Sequence, residues 1–174
     1  TFGDQALPPS CATPAEHVAG LLRKRGMRLA TAESCTGGMI AAAATDLAGA
    51  SAWFAGAVVA YANDWKESRL GVSARTLAEH GAVSEPVIRE MLATLVERFG
   101  VDAGIAVSGV AGPAGGTATK PVGTVILGVA VPGHTEVARL FFPGNRRTVR
   151  ERTTATAFVM LRKALLGLPG EGNR

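Results

Sequence analysis

The chain has 174 residues, of which 47% are hydrophobic and 18% charged, with a net charge of +4. That length suits one domain, and that balance excludes a disordered body, which needs lower hydrophobicity and higher net charge. Two cysteines, Cys11 and Cys35, make no disulfide framework, and with three scattered histidines they make no metal site.

The first dozen residues hold Pro8, Pro9 and little periodicity, so 1–12 read as a tail ahead of one domain over 13–167, with a second tail over 168–174. Thr13-Pro14-Ala15-Glu16 carries a helix start: Thr13 caps, Pro14 takes the first position and Glu16 closes a capping box. Val18, Leu21 and Leu22 supply the apolar stripe, Gly26 ends the helix, and Met27–Ala32 reads as a strand. A helix over Thr36–Thr45 comes next, with Gly37 and Gly38 in its first turn. Trp53–Tyr61 (WFAGAVVAY) is apolar almost throughout, as expected of a strand covered on both faces. Asn63 caps a short helix through Leu70, and Ser73–Glu79 forms another. Ser84 caps a longer helix over Glu85–Phe99, where Val87, Ile88, Met91, Leu92, Leu95 and Val96 recur at helical spacing. Ala103–Ser108 is a third strand, and Gly109–Pro121 is a Gly-rich loop. Val122–Val131 and Thr135–Phe142 form a hairpin about Pro132-Gly133, and the last helix spans Arg146–Leu166. Strands alternating with helices predict an α/β fold: one three-layer α/β/α domain whose mixed, mostly parallel sheet carries helices on both faces.

The longest uncharged stretches, Leu47–Asn63 and Ala103–Thr119, are interrupted by Gly, Ser, Asn or Pro, so neither reads as a membrane span. Thr1–Ala12 lacks a basic start followed by an apolar core, so no signal peptide is expected, and free thiols suit the cytoplasm. The positive excess is mostly arginine and is densest at Arg146, Arg147, Arg150 and Arg152. With few aromatics to stack bases, it argues against a nucleic-acid surface and suits a small phosphorylated ligand gripped by guanidinium groups. Basic residues at a helix start oppose the macrodipole, and that unfavourable local choice points to an anion, the plainer alternative being a solvated, tolerated surface cluster.

Three further segments carry candidate chemistry. Thr31–Gly38 (TAESCTGG) sits where a strand gives way to a helix, a place that offers free backbone N–H groups to an oxyanion. Ser34 or Cys35 at that turn is a candidate nucleophile, Gly37 and Gly38 permit close approach of a ligand, and the plainer alternative makes Ser34 or Thr36 an N-cap. Tyr61–Lys66 (YANDWK) pairs the chain's one tyrosine with Lys66, one helical turn into the next helix. A desolvated lysine loses its proton more easily and can activate a serine where no histidine is placed to do so. Otherwise Tyr61 is core and Lys66 a surface charge. Ser108–Thr117 (SGVAGPAGGT) comes after a strand, and its small residues free backbone N–H groups for an anion nest. It matches neither a P-loop nor the dinucleotide fingerprint.

AESCTGG (32–38), TDLAGASAWF (45–54), VAYANDWK (59–66), GVSARTLAEHGAVSE (71–85), AVSGVAGPAGG (106–116) and KPVGTV (120–125) together resemble the C-terminal domain of the competence/damage-inducible CinA family. The resemblance covers about 14–166 in one order, and its stand-alone form is a nicotinamide mononucleotide deamidase. It implies hydrolysis of the carboxamide of nicotinamide mononucleotide to nicotinate mononucleotide and ammonia, with no cofactor and no metal, in a homodimer. It implies Ser34 as nucleophile, Tyr61 and Lys66 as its support, and Ser108 as a further site hydroxyl. The phosphate is implied to meet an arginine at the start of the last helix: Arg146, Arg147 or Arg150. Substrate-binding positions expected on these grounds are Cys35, Thr36, Gly37, Gly38, Asn63, Ser108, Gly109, Gly112, Gly115, Gly116, Arg146 and Arg150. In this reading Lys66 takes the Ser34 proton directly or through Tyr61, and amides at the start of the Thr36 helix hold the oxyanion. The chain departs from many relatives at Ala62 and Trp65, and a bulky Trp65 is expected to alter the mouth of the site. A non-catalytic nucleotide-binding sensor is the alternative.

Overall fold

In a computed structural model, residues 11–167 are described; of the tails expected over 1–12 and 168–174, residues 1–10 and all of 168–174 lie outside the described residues. Helix α1 (Pro14–Arg25) begins as anticipated: the Thr13 hydroxyl accepts the Glu16 amide at 3.2 Å, and the Glu16 carboxylate accepts the Thr13 amide at 2.9 Å. The order continues β1 (Leu29–Glu33), α2 (Met39–Thr45), β2 (Phe54–Val59), α3 (Asn63–Leu70), α4 (Ala74–His80), α5 (Glu85–Ala93), β3 (Ala103–Gly109), β4 (Thr124–Val131), β5 (His134–Phe141) and α6 (Arg146–Leu166). The five strands form one sheet in the order β2-β1-β3-β4-β5. β2, β1 and β3 run parallel, and β4 pairs antiparallel with both β3 and β5.

Each face of the sheet builds its own core. Val18 and Leu22 of α1, Ile40 and Ala44 of α2, and Val149, Phe158 and Leu161 of α6 pack on Leu29, Ile105, Val107 and Leu127. On the other face Leu70 of α3 and Val87, Ile88 and Met91 of α5 cover Ala30, Ala32, Ala106 and Ile126. Burying a Leu, Ile or Phe side chain in this way contributes about 2 kcal/mol each. The chain is therefore the three-layer α/β/α domain that the pattern predicts, with a mixed sheet.

Some local expectations are corrected. The second helix starts at Met39 rather than Thr36, because Gly37 and Gly38 hold φ of +60° and +94° and keep residues 34–38 in a turn. Gly38, not Ser34 or Thr36, is its N-cap. Asn63 is the first helical residue of α3, and Ala62 occupies the cap position. Ser84 stands at the α5 N-cap, but its hydroxyl donates back to the Gly81 carbonyl at 2.8 Å. α5 ends at Ala93 and passes into a π-turn over Thr94–Arg98, where the Thr94 hydroxyl donates to the Leu70 carbonyl. β2 is an edge strand, so it is not covered on both faces: its burial alternates, and Ala55, Ala57 and Val59 are exposed.

Candidate functional site

β1, β2 and β3 are parallel and end together, so the turns leaving the three strands converge. That end of an open α/β sheet is where ligands usually bind. Ser34 leaves β1, and its amide donates to the Val107 carbonyl of β3 at 3.1 Å, which sets it beside Ser108. Tyr61 and Lys66 come after β2; the Ala60 amide donates to the Glu33 carbonyl at 2.8 Å and fixes where that chain leaves the sheet. These groups line one cavity of about 260 Å³, together with Cys35, Asn63, Gly109, Gly112, Gly115 and Arg146. A larger open depression, about 640 Å³ between α5 and the β4–β5 turn, lies at the opposite end of β3 and gathers no serine or lysine.

Lys66 is 1% exposed, and burial holds its ammonium below the ordinary lysine pKa. Its Nζ donates to the Ala60 carbonyl at 2.9 Å and to the Tyr61 carbonyl at 3.0 Å. A neutral amine has two N–H donors and one lone pair. The two carbonyls take both donors, which leaves the lone pair to accept a proton. Tyr61 does not stand between Lys66 and Ser34 through its hydroxyl. That hydroxyl accepts from Arg146 Nη2 at 2.7 Å, and the Tyr61 ring is exposed. The Tyr61 hydroxyl is thus engaged by Arg146, while Ser34 and Lys66 line the same cavity. Ser34 is 8% and Ser108 1% exposed.

Cys35 is buried, and burial pushes its thiol up to about 11. It stays protonated at neutral pH, which removes the thiolate a rival nucleophile would need. Gly109 is required beside it. A Cβ there would lie 2.9 Å from both the Thr124 carbonyl and Val125, and 3.1 Å from the Cys35 sulfur.

The start of α2 is occupied from within. Glu33 is fully buried, and its carboxylate accepts the Gly38, Ile40 and Ala41 amides at 2.8–3.1 Å and the hydroxyls of Thr31 and Thr36 at 3.1 and 2.7 Å. The Gly37 and Met39 amides bond the Ser34 and Thr36 carbonyls. The helix-start amides expected to serve an oxyanion are therefore largely consumed by this internal anion. On that side only the Cys35 and Thr36 amides have no oxygen acceptor among the described residues. Glu33 was missed in the sequence because a lone acid beside an apolar run gives no sign of facing inward.

The structure separates the three arginines. Arg146 reaches into the cavity and donates to the Gly112 carbonyl at 2.9 Å as well as to Tyr61. Arg147 pairs with Glu151 on the outer surface at 2.7 Å. Arg150 donates to the Thr36 carbonyl at 2.7 Å and braces the turn behind the cavity. Thr36, Gly37, Gly38 and Gly116 also lie outside the cavity lining. Trp65 is not among the residues lining the cavity, and Arg69 stacks 5.4 Å from its ring. Ala82 and Val83, in the turn before α5, line the cavity unanticipated: small apolar residues carry no chemical signal. The amides of Ala111, Gly112, Ala114 and Gly115 face no protein acceptor among the described residues. No group of three or more His, Cys, Asp or Glu is placed to hold a metal among the described residues. No helix there is long and apolar enough to cross a membrane.

The model of the CinA C-terminal domain matches residues 12–165. A CinA-like protein of Mycolicibacterium gilvum is 53% identical over 153 residues, 87% of this chain and 36% of that protein. One from Mycobacterium tuberculosis is 48% identical over 169 residues, 97% of this chain and 39% of that protein. The chain thus spans a little over a third of the length of these relatives. Among solved structures, a CinA superfamily protein of Klebsiella pneumoniae superposes with a TM-score of 0.84 at 39% identity, covering 88% of this chain and 96% of that one. The competence/damage inducible protein CihA of Agrobacterium tumefaciens gives 0.83 at 36% identity, covering 92% and 99%. The fold, the site-bearing turns and these matches agree, and the chain belongs to the CinA family through its C-terminal domain.

Proposed function

We propose that the chain hydrolyses the carboxamide of nicotinamide mononucleotide, giving nicotinate mononucleotide and ammonia. The observation that carries this reading is the buried Lys66, both of whose N–H donors are held by carbonyls, in the same cavity as Ser34. Ser34 Oγ attacks the carboxamide carbon and its proton passes to Lys66. The Cys35 and Thr36 amides, which bond no oxygen of the described residues, donate to the developing oxyanion. Losing such a donor typically costs about 3 kcal/mol in the transition state. The C–N bond then breaks, Lys66 returns the proton to the leaving nitrogen, and ammonia departs. Water, deprotonated by Lys66, cleaves the acyl ester and restores the serine. Arg146 and the free amides of the 111–115 segment hold the phosphate.

The test is ammonia release from nicotinamide mononucleotide by wild type and Ser34→Ala, with binding followed by calorimetry. Binding without release by wild type would support the sensor reading instead. The homodimer belongs to the same proposal. Of the two sheet edges, β5 carries His134, Glu136 and Arg139, whereas β2 (FAGAVV) has no charge to guard it and is the edge a second copy would pair with.

A further inference from the structure

Two of the segments that carry the family resemblance, 71–85 and 120–125, supply no chemistry to the proposed reaction, and they meet in a second cavity. This cavity, about 290 Å³, lies between the α4–α5 turn and the β4–β5 pair and adjoins the Ser34 cavity across Val83, which lines both. Three basic side chains enter it from three elements: His80, Lys120 and Arg139. Lys120 is fixed by a tight turn, its amide donating to the Thr117 hydroxyl at 3.0 Å and its carbonyl accepting the Thr117 amide at 2.9 Å. Its Nζ donates to the His80 carbonyl at 2.8 Å, and Arg139 donates to the Thr119 carbonyl. Neither cation has a carboxylate within 4.0 Å among the described residues. Glu85, the one acid in the lining, is taken by Arg89 at 2.6 Å, and Glu79 beside His80 accepts from Arg75 at 2.8 Å.

An ordinary surface lysine or arginine swings free in water or pairs with an acid. Here two cations are held by neutral carbonyls around one concavity, with their charge uncompensated, and only an anion completes that arrangement. Ser84 turns its hydroxyl back to Gly81, so no side chain caps the amide of Glu85, which lines the cavity. We propose that this cavity binds a phosphate-type anion through Lys120 and Arg139. The anion is either free phosphate or a phosphoryl group on a ligand that extends past Val83 from the neighbouring cavity. The site does not depend on the amidase reading.

The test is a titration of isotope-labelled protein with sodium phosphate, at ionic strength matched with sodium chloride, tracking backbone amide resonances. Saturable shifts at the Ser84 and Glu85 amides are expected. The Lys120→Gln/Arg139→Gln double variant should weaken them by about tenfold or more, the loss of charge-assisted contacts. Both side chains bond only to carbonyls near the surface, and unshifted core resonances would show that the variant folds. Chloride shifting the same amides equally, or the double variant binding phosphate as wild type does, would overturn the proposal. A nucleoside diphosphate distinguishes the two sources. Glu85 and Gly112 amides saturating together at one equivalent means one ligand spans both cavities. Phosphate alone saturating Glu85 with Gly112 unmoved means a free anion.

Discussion

At the residue scale a few buried polar groups decide the chemistry, and each has a consequence. Lys66 must be neutral to take a proton, and burial lowers its pKa. Activity should therefore rise with pH through a value below the ordinary lysine 10.5 and then level off, because deprotonation creates the base. A kcat/KM profile that falls as pH rises toward 10 would contradict this role. Cys35→Ala should keep turnover, since the thiol is held protonated near pH 7. Arg146→Ala should raise KM by about thirtyfold, the worth of one charge-assisted phosphate contact, with a smaller change in kcat. Arg147→Ala should leave both unchanged. Ser34, Lys66 and the glycines were legible as candidates because each puts a reactive or permissive residue next to the end of a strand, whereas the roles proposed for them were implied only by the family resemblance. The choice among Arg146, Arg147 and Arg150 was not legible. Three arginines within five positions of a helix point in different directions, and which one meets the cavity depends on how α6 docks on the sheet.

At the scale of elements, the turn between β1 and α2 is ordered by Glu33. Its carboxylate replaces, inside the protein, the anion that a helix start attracts. Glu33→Gln puts an N–H₂ against donors and should cost on the order of 3 kcal/mol, with Ser34 displaced. Thermal unfolding alongside kcat would register both effects, and a variant as stable as wild type would contradict the role. The sequence placed α2 three residues early, since Gly37 and Gly38 read equally well as a first turn and as a bend before it. The pairing of α1 with α6 makes its own prediction. Arg162 Nε donates to His17 Nδ1 at 2.8 Å, and burial together with the Arg162 charge lowers the His17 pKa. A lowered histidine pKa favours the neutral ring in the folded state, so this contribution is present above about pH 6.5 and lost as pH falls below it. His17→Gln should flatten the loss of stability in mild acid.

At the scale of the molecule, layer order and sheet direction came from hydrophobic period and strand–helix alternation, which are properties of the whole chain. Edge position was not legible. An all-apolar strand such as FAGAVV resembles a central one, and only the sheet order shows that β2 has a bare side. If a second copy pairs there, light scattering should give twice the chain mass for wild type and the single mass for Ala57→Lys. A monomeric wild type at micromolar concentration would contradict the pairing. The most direct test of the serine amidase chemistry is ammonia release from nicotinamide mononucleotide, run with wild type and Ser34→Ala and with binding measured on both. Wild type should release ammonia, Ser34→Ala should lose at least about ten-thousandfold in rate, and both should bind the nucleotide. Release by Ser34→Ala near the wild-type rate would contradict that chemistry.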